Sequence, residues 1–183
     1  MKHFYVLAAA LLLLSACGCN AVLSKRPIGE KPAKIVANDW EGKWVGADGG
    51  SFTVKVVDAN KGLLKVFWLD DEDKRTPSMK SADVELRESG EWLFASTNYE
   101  DNGPSRGYLW GRIKNEDRQI IIWIPDDKAF APLVKSGVFP GKIERDDLNL
   151  DELNAEHLKI IKSGERGVLF QWDKPAVLVK AGK

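Results

Sequence analysis

"SFTVKVVD", Ser51 to Asp58, alternates apolar and polar residues with a period of two: Phe52, Val54 and Val56 point one way, Ser51, Thr53 and Lys55 the other. A chain whose side chains alternate in this way buries one face and wets the other only as a β-strand. "ADVELRE" repeats the pattern, with Ala82, Val84 and Leu86 opposite Asp83, Glu85 and Arg87. Outward from these two, further strands are expected at Leu63 to Leu69, Glu91 to Thr97, Tyr108 to Lys114 and Gln119 to Ile124. Each is bounded by turn chemistry such as "DANKG", "RESGE", "DNGPSRG" and "KNEDR". Short strands joined by tight turns, with no helix between them, form an antiparallel meander.

The pattern changes after Pro125. "DDKAFAPLVKSG" predicts one or two helical turns, opened by Asp126 and Asp127, with Phe130, Leu133 and Val134 inward. Pro132 is expected to break any helix begun as early as Asp127, because it lacks an N–H and its ring crowds the preceding turn. "LNAEHLKIIKSG" predicts a better helix, with Asn154 as N-cap, a Leu153–Leu158 staple and Gly164 just past the end. Short strands are expected around Gly141 to Glu144, Asp147 to Glu152, Val168 to Trp172 and Ala176 to Lys180. About ten strands exceed what one open sheet of this size holds comfortably. The expected fold is therefore mainly β: an antiparallel up-and-down barrel with one or two short helices, the alternative being a two-layer β-sandwich.

The N-terminus carries an address. Lys2 and His3 precede an unbroken apolar run from Phe4 to Leu14, the layout of a secretory signal and too short to span a bilayer. It ends in Leu14-Ser15-Ala16-Cys17, which resembles the lipobox of bacterial lipoproteins. That resemblance implies cleavage after Ala16 and a diacylglycerol thioether, usually with an acylated amine, on Cys17. Where the host is Gram-negative, Gly18 rather than Asp after the cysteine implies the outer membrane, periplasmic face. Cys19 is then a lone thiol: a bystander, a second acyl site or an intermolecular disulfide. An i to i+2 disulfide between the two cysteines would be strained, and a zinc site needs about four ligands that the mature chain does not supply.

The expected organisation is a cleaved signal over residues 1–16, a lipidated N-terminus and flexible tether over 17–38, and one β domain over 39–183. The tether reading comes from "KRPIGEKPAKI", rich in proline, glycine and lysine without periodicity, and gives a span of about 25 Å. Charge is balanced, with 27 basic and 27 acidic residues; losing Lys2 leaves 26 against 27, a balance of −1. No basic stripe marks a nucleic-acid binder.

Chemistry is sparse. After the signal only His157 remains, expected as a surface or capping residue, and no G-x-S-x-G or H-E-x-x-H pattern accompanies it. "DDEDKR", Asp70 to Arg75, fails the EF-hand pattern, since Arg75 and Ser81 stand where glycine and glutamate are needed. Neither a metal nor a cofactor is expected. Seven tryptophans fall in or beside the strands. Indoles bury large apolar area yet want a partner for their N–H, so they suit barrel ends and cavity walls.

Gly42-Lys43-Trp44, entering the first strand of the meander, resembles the G-x-W signature of the lipocalin and wider calycin superfamily. Thr97-Asn98-Tyr99 resembles its T-D-Y motif with Asn in place of Asp. The resemblance implies an eight-stranded barrel with Trp44 packed across one end and a cavity for small hydrophobic ligands. In the family an arginine of the last strand covers that tryptophan; no arginine stands on the last strand here, and Lys180 is the only candidate. The first functional expectation is a non-enzymatic, membrane-anchored module binding a small apolar or amphipathic ligand among Trp44, Trp68, Trp92 and Trp110. The second is an envelope interaction, assembly or inhibitor protein working through "NYEDNGPSRG", Asn98 to Gly107. The third is a hydrolase using acidic residues.

Overall fold

The computed structural model describes residues 21–47, 49–70, 78–100, 105–144 and 147–182. Eight antiparallel strands close into a barrel. In chain order they begin with β3 (Gly42–Gly46), β4 (Ser51–Asp58), β5 (Leu63–Asp70) and β6 (Ser78–Ser89). β7 (Trp92–Asn98), β8 (Tyr108–Glu116) and β9 (Gln119–Trp123) complete the meander, and β12 (Ala176–Lys180) pairs with both β9 and β3 to shut the ring. Closure gives each of these eight strands a partner on both sides.

The two-residue period decides what lies inside. Trp44, Phe52, Val54, Leu64, Val66, Val84, Leu86, Ala95, Ile113, Ile120, Ile122 and Leu178 form one buried cluster within the ring. An eight-stranded barrel is just wide enough for such side chains to fill. One end is plugged by a single helical turn, α1 (Ala37–Trp40), whose buried Trp40 accepts the Trp44 indole N–H on its carbonyl at 2.8 Å. The Lys180 ammonium lies 5.4 Å from the Trp44 ring centre and donates to the Asn38 carbonyl. Gly42 takes a left-handed φ of 129°, and a Cβ there would meet Lys180 Cε at 3.2 Å, so glycine suits this approach.

Three short helices are present among the described residues, where one or two were expected. α2 (Asp127–Lys135) starts on Asp126, which caps it by accepting from the Lys128 N–H at 3.0 Å. It runs straight through Pro132, against the expected break: only one N–H is lost, and the Pro132 carbonyl still accepts from Ser136. Phe130 holds the helix down from wholly inside the core. α3 (Ala155–Ser163) has the expected cap, Asn154 and His157 each bonding the other's backbone at 3.1 Å, and ends on Gly164 in the left-handed region.

A second core lies outside the ring. β8 pairs with β9 along its second half but, at Tyr108 and Leu109, with β1 (Val22–Ser24). β1 in turn pairs in parallel with β11 (Asp147–Leu150), and β11 with β10 (Gly141–Glu144). α2 packs on β10 and β11. Phe94, Trp110, Phe130, Phe139, Leu158, Ile161 and Phe170 are buried together in this second cluster. β10 is an edge, guarded by a Lys142–Glu144 ion pair at 2.7 Å.

Three further expectations are corrected. The flexible tether over 17–38 does not hold for its described part. Val22, Leu23, Ile28 and Ala33 are buried, and β2 (Lys31–Pro32) pairs with β6. Ile28 donates its N–H to Ser96 Oγ at 3.1 Å, and Arg87 Nε donates to the Gly29 carbonyl at 3.1 Å. The segment lacks periodicity because it straps across several strands instead of lying along one. Val168 to Trp172 is not a strand either. It makes one bridge, Phe170 opposite Pro125, because the proline has no N–H to extend a ladder and the Trp172 N–H turns back onto the Phe170 carbonyl at 2.9 Å. β11 also stops at Leu150, two residues before the expected end.

Candidate functional site

The four tryptophans expected to share one cavity stand on two sides of the barrel wall. Trp44 and Trp68 point into the ring, with Phe52 paired opposite both. Trp92 and Trp110 point outward into the second core, as their phase with Phe94 on β7 and Arg112 on β8 requires. A ligand cannot touch all four at once. This corrects the single-cavity expectation; strand phase is legible in sequence, but which phase faces inward depends on closure.

Trp44 is fully enclosed with its N–H satisfied. The Trp68 and Trp110 indole nitrogens are buried without a hydrogen-bond partner among the described residues. Leaving such a donor unpaired costs about 1–3 kcal/mol. Around Trp110 that cost is eased by aromatic geometry: its ring stands edge-on to Phe130 at 86° and to Phe170 at 89°.

Where the strap and α1 meet the β6–β7 and β8–β9 turns, a cleft of about 650 Å³ opens at the plugged end of the barrel. Its apolar lining comes from Ile35, Val36, Trp40, Trp92 and Leu93, its charged rim from Asp39, Glu88, Glu91, Glu116, Asp117, Lys34, Arg118 and Lys180. Each is placed for a reason. Val36 and Trp40 come from the turn that plugs the ring, and Trp92 opens β7 two residues after Gly90, which sits in its left-handed turn. Asp117 and Arg118 form the two-residue β8–β9 connection, both with positive φ, 48° and 66°, as that turn type demands. Arg118 reaches the carbonyls of Lys180 at 3.4 Å and Gly182 at 3.2 Å, which ties the last strand to the rim. Such a cleft offers an amphipathic molecule an indole floor and a mixed-charge border.

Trp92 links the cleft to an arginine that sequence reading did not single out. Arg112 is ringed by three indoles, its guanidinium carbon 4.1 Å from the Trp92 ring centre, 5.0 Å from Trp172 and 5.3 Å from Trp123. It has no ion-pair or hydrogen-bond partner among the described residues. Burial pushes its pKa below the usual arginine value. Its alternation with Trp110 on β8 was visible in sequence; its meeting with Trp172, sixty residues on, was not.

His157 spends its ring nitrogen on the α3 cap, accepting from the Asn154 N–H. No cluster of three or more His, Cys, Asp or Glu able to hold a metal is found among the described residues. Cys17, Cys19 and residues 71–75 of the acidic run lie outside the described residues, as do residues 101–104 of the Asn98–Gly107 loop. No helix among the described residues is long and apolar enough to cross a membrane. The chain matches no protein-family model, and comparison with curated proteins and with solved structures gives no match.

Proposed function

We propose that this chain is an exported bacterial lipoprotein, held in the cell envelope by a lipid on Cys17, that binds a small amphipathic ligand and catalyses no reaction. The observation that carries the ligand reading is the cleft of about 650 Å³ at the plugged end, floored by Trp40 and Trp92. Its volume falls within the roughly 300–1,000 Å³ of small-molecule sites, and it combines apolar walls with a few convergent charges. The packed ring beside it makes a rigid frame. The Cys17 reading rests on the lipobox resemblance, and in a Gram-negative host it carries the outer-membrane assignment with it.

Native mass spectrometry of protein purified from its host tests the ligand, together with quenching of tryptophan emission by a lysophospholipid or fatty acid. A bound small molecule, and quenching reduced at least several-fold by Trp92→Ala, is the expected result. A protein that carries nothing, and whose emission neither amphiphile alters, sinks the reading. Cys17→Ser separately tests the anchor, and is expected to leave the precursor unprocessed by the lipoprotein pathway and its membrane attachment lost.

One observation favours the interaction reading as a second function. Leu69 and Met79 sit opposite each other where β5 passes into β6, 63% and 71% exposed. Paired apolar side chains held in water suit a protein contact. Pull-down from envelope extracts with wild type and Leu69→Ser/Met79→Ser compares the two.

A further inference from the structure

The first described residue, Ala21, is already pinned. Its N–H donates to Asp147 Oδ1 at 3.0 Å, its carbonyl accepts from the Leu148 N–H at 2.8 Å, and Asp147 is held in turn by Arg106. Only Gly18, Cys19 and Asn20 separate it from Cys17. Four fully extended Cα steps span about 14 Å, and the headgroup layer takes roughly 5–7 Å of that. Resting on the lipid anchor proposed above, we propose that the side sheet of β1, β11 and β10 lies against the lipid headgroups, so that the barrel is docked on the membrane and not suspended from it.

The chemistry near that point fits a bilayer surface. β1 runs antiparallel to β8 with Leu23 opposite Leu109, so its start points toward the stretch of β8 that carries Arg112. Trp123, paired with Arg112, and Trp172 are half-buried there. Indoles with an arginine whose donors are unspent among the described residues match the interfacial zone, where ring and phosphate meet. Ile143, 43% exposed on the edge strand β10, stands two strands from β1, roughly 10 Å away. Thr53, exposed on β4, lies on the wall of the ring opposite β8.

The test uses the full lipidated chain carrying Cys19→Ser, with a fluorophore on Ile143→Cys or on Thr53→Cys. It is reconstituted into phosphatidylethanolamine/phosphatidylglycerol vesicles that contain a headgroup-attached quencher. Quenching at position 143 is expected to exceed that at position 53 at least threefold. Inserting twenty Gly/Ser residues between Asn20 and Ala21, a spacer of about 25 Å, is expected to bring the ratio near one. A ratio near one in the uninserted chain, while it floats with vesicles, overturns the docking and leaves the anchor standing. A ratio that survives the insertion overturns it too, since the short tether is then not the cause. A chain that fails to float with vesicles removes the anchor and the docking together.

Discussion

Trp44 couples the plug, the wall and the closing strand in one side chain. Its indole N–H bonds the Trp40 carbonyl, its ring carries the Lys180 ammonium, and its backbone pairs with β4 on one side and β12 on the other. Truncation leaves a cavity that the ring cannot collapse into, because the walls are fixed by their ladders. Trp44→Ala is expected to cost about 3–5 kcal/mol, measured as a drop in the urea midpoint with unchanged slope. A loss under about 1 kcal/mol would show that the ring is not packed as described. Trp44 and its G-x-W context were legible in sequence because glycine before a strand and a following indole are local features. The Arg112 cluster was not, since its three indoles come from β7, β9 and the segment after α3.

Among the elements, α2 shows local preference yielding to packing. Pro132 withholds one helical N–H, yet Phe130 is wholly buried while Leu133 and Val134 pack against the second core. Burying a large apolar side chain contributes about 1.5–3 kcal/mol, enough to offset an interior proline at about 3 kcal/mol. Pro132→Ala is expected to restore the missing bond and raise stability by about 1–2 kcal/mol, since part of the gain is returned to a looser unfolded chain. Denaturant titration checks it, and a destabilised variant would mean that the proline ring itself is packed. The strands of the ring show the opposite case. Their two-residue period survives folding because closure exposes one face to the interior and the other to water or to the second core, so sequence bounds agree with the structure within two residues, except that β6 starts at Ser78, four residues before the expected Ala82.

For the whole molecule, the segment before α1 belongs to the fold. Val22, Leu23, Ile28 and Ala33 are each 1–4% exposed, and the strap supplies a partner to Ser96. At about 1.5–3 kcal/mol for each of the three larger side chains, their loss is comparable to the 5–15 kcal/mol that a typical domain has in total. A chain starting at Val36 is expected to lose its cooperative thermal transition, followed by near-ultraviolet circular dichroism. Melting within a few degrees of the longer chain would return the segment to the status of a tether.

Local alternation, capping residues and turn chemistry determined the strands of the ring, the α3 cap and the mainly β class, because each depends on neighbours close in the chain. Ring closure by β12, the side sheet on β8, the strap from Ala21 to Val36 and the division of the tryptophans between two cores arise only when distant segments meet. A strand's period says that it has two faces. What covers each face is decided by residues far away in the chain, and so by the tertiary structure alone.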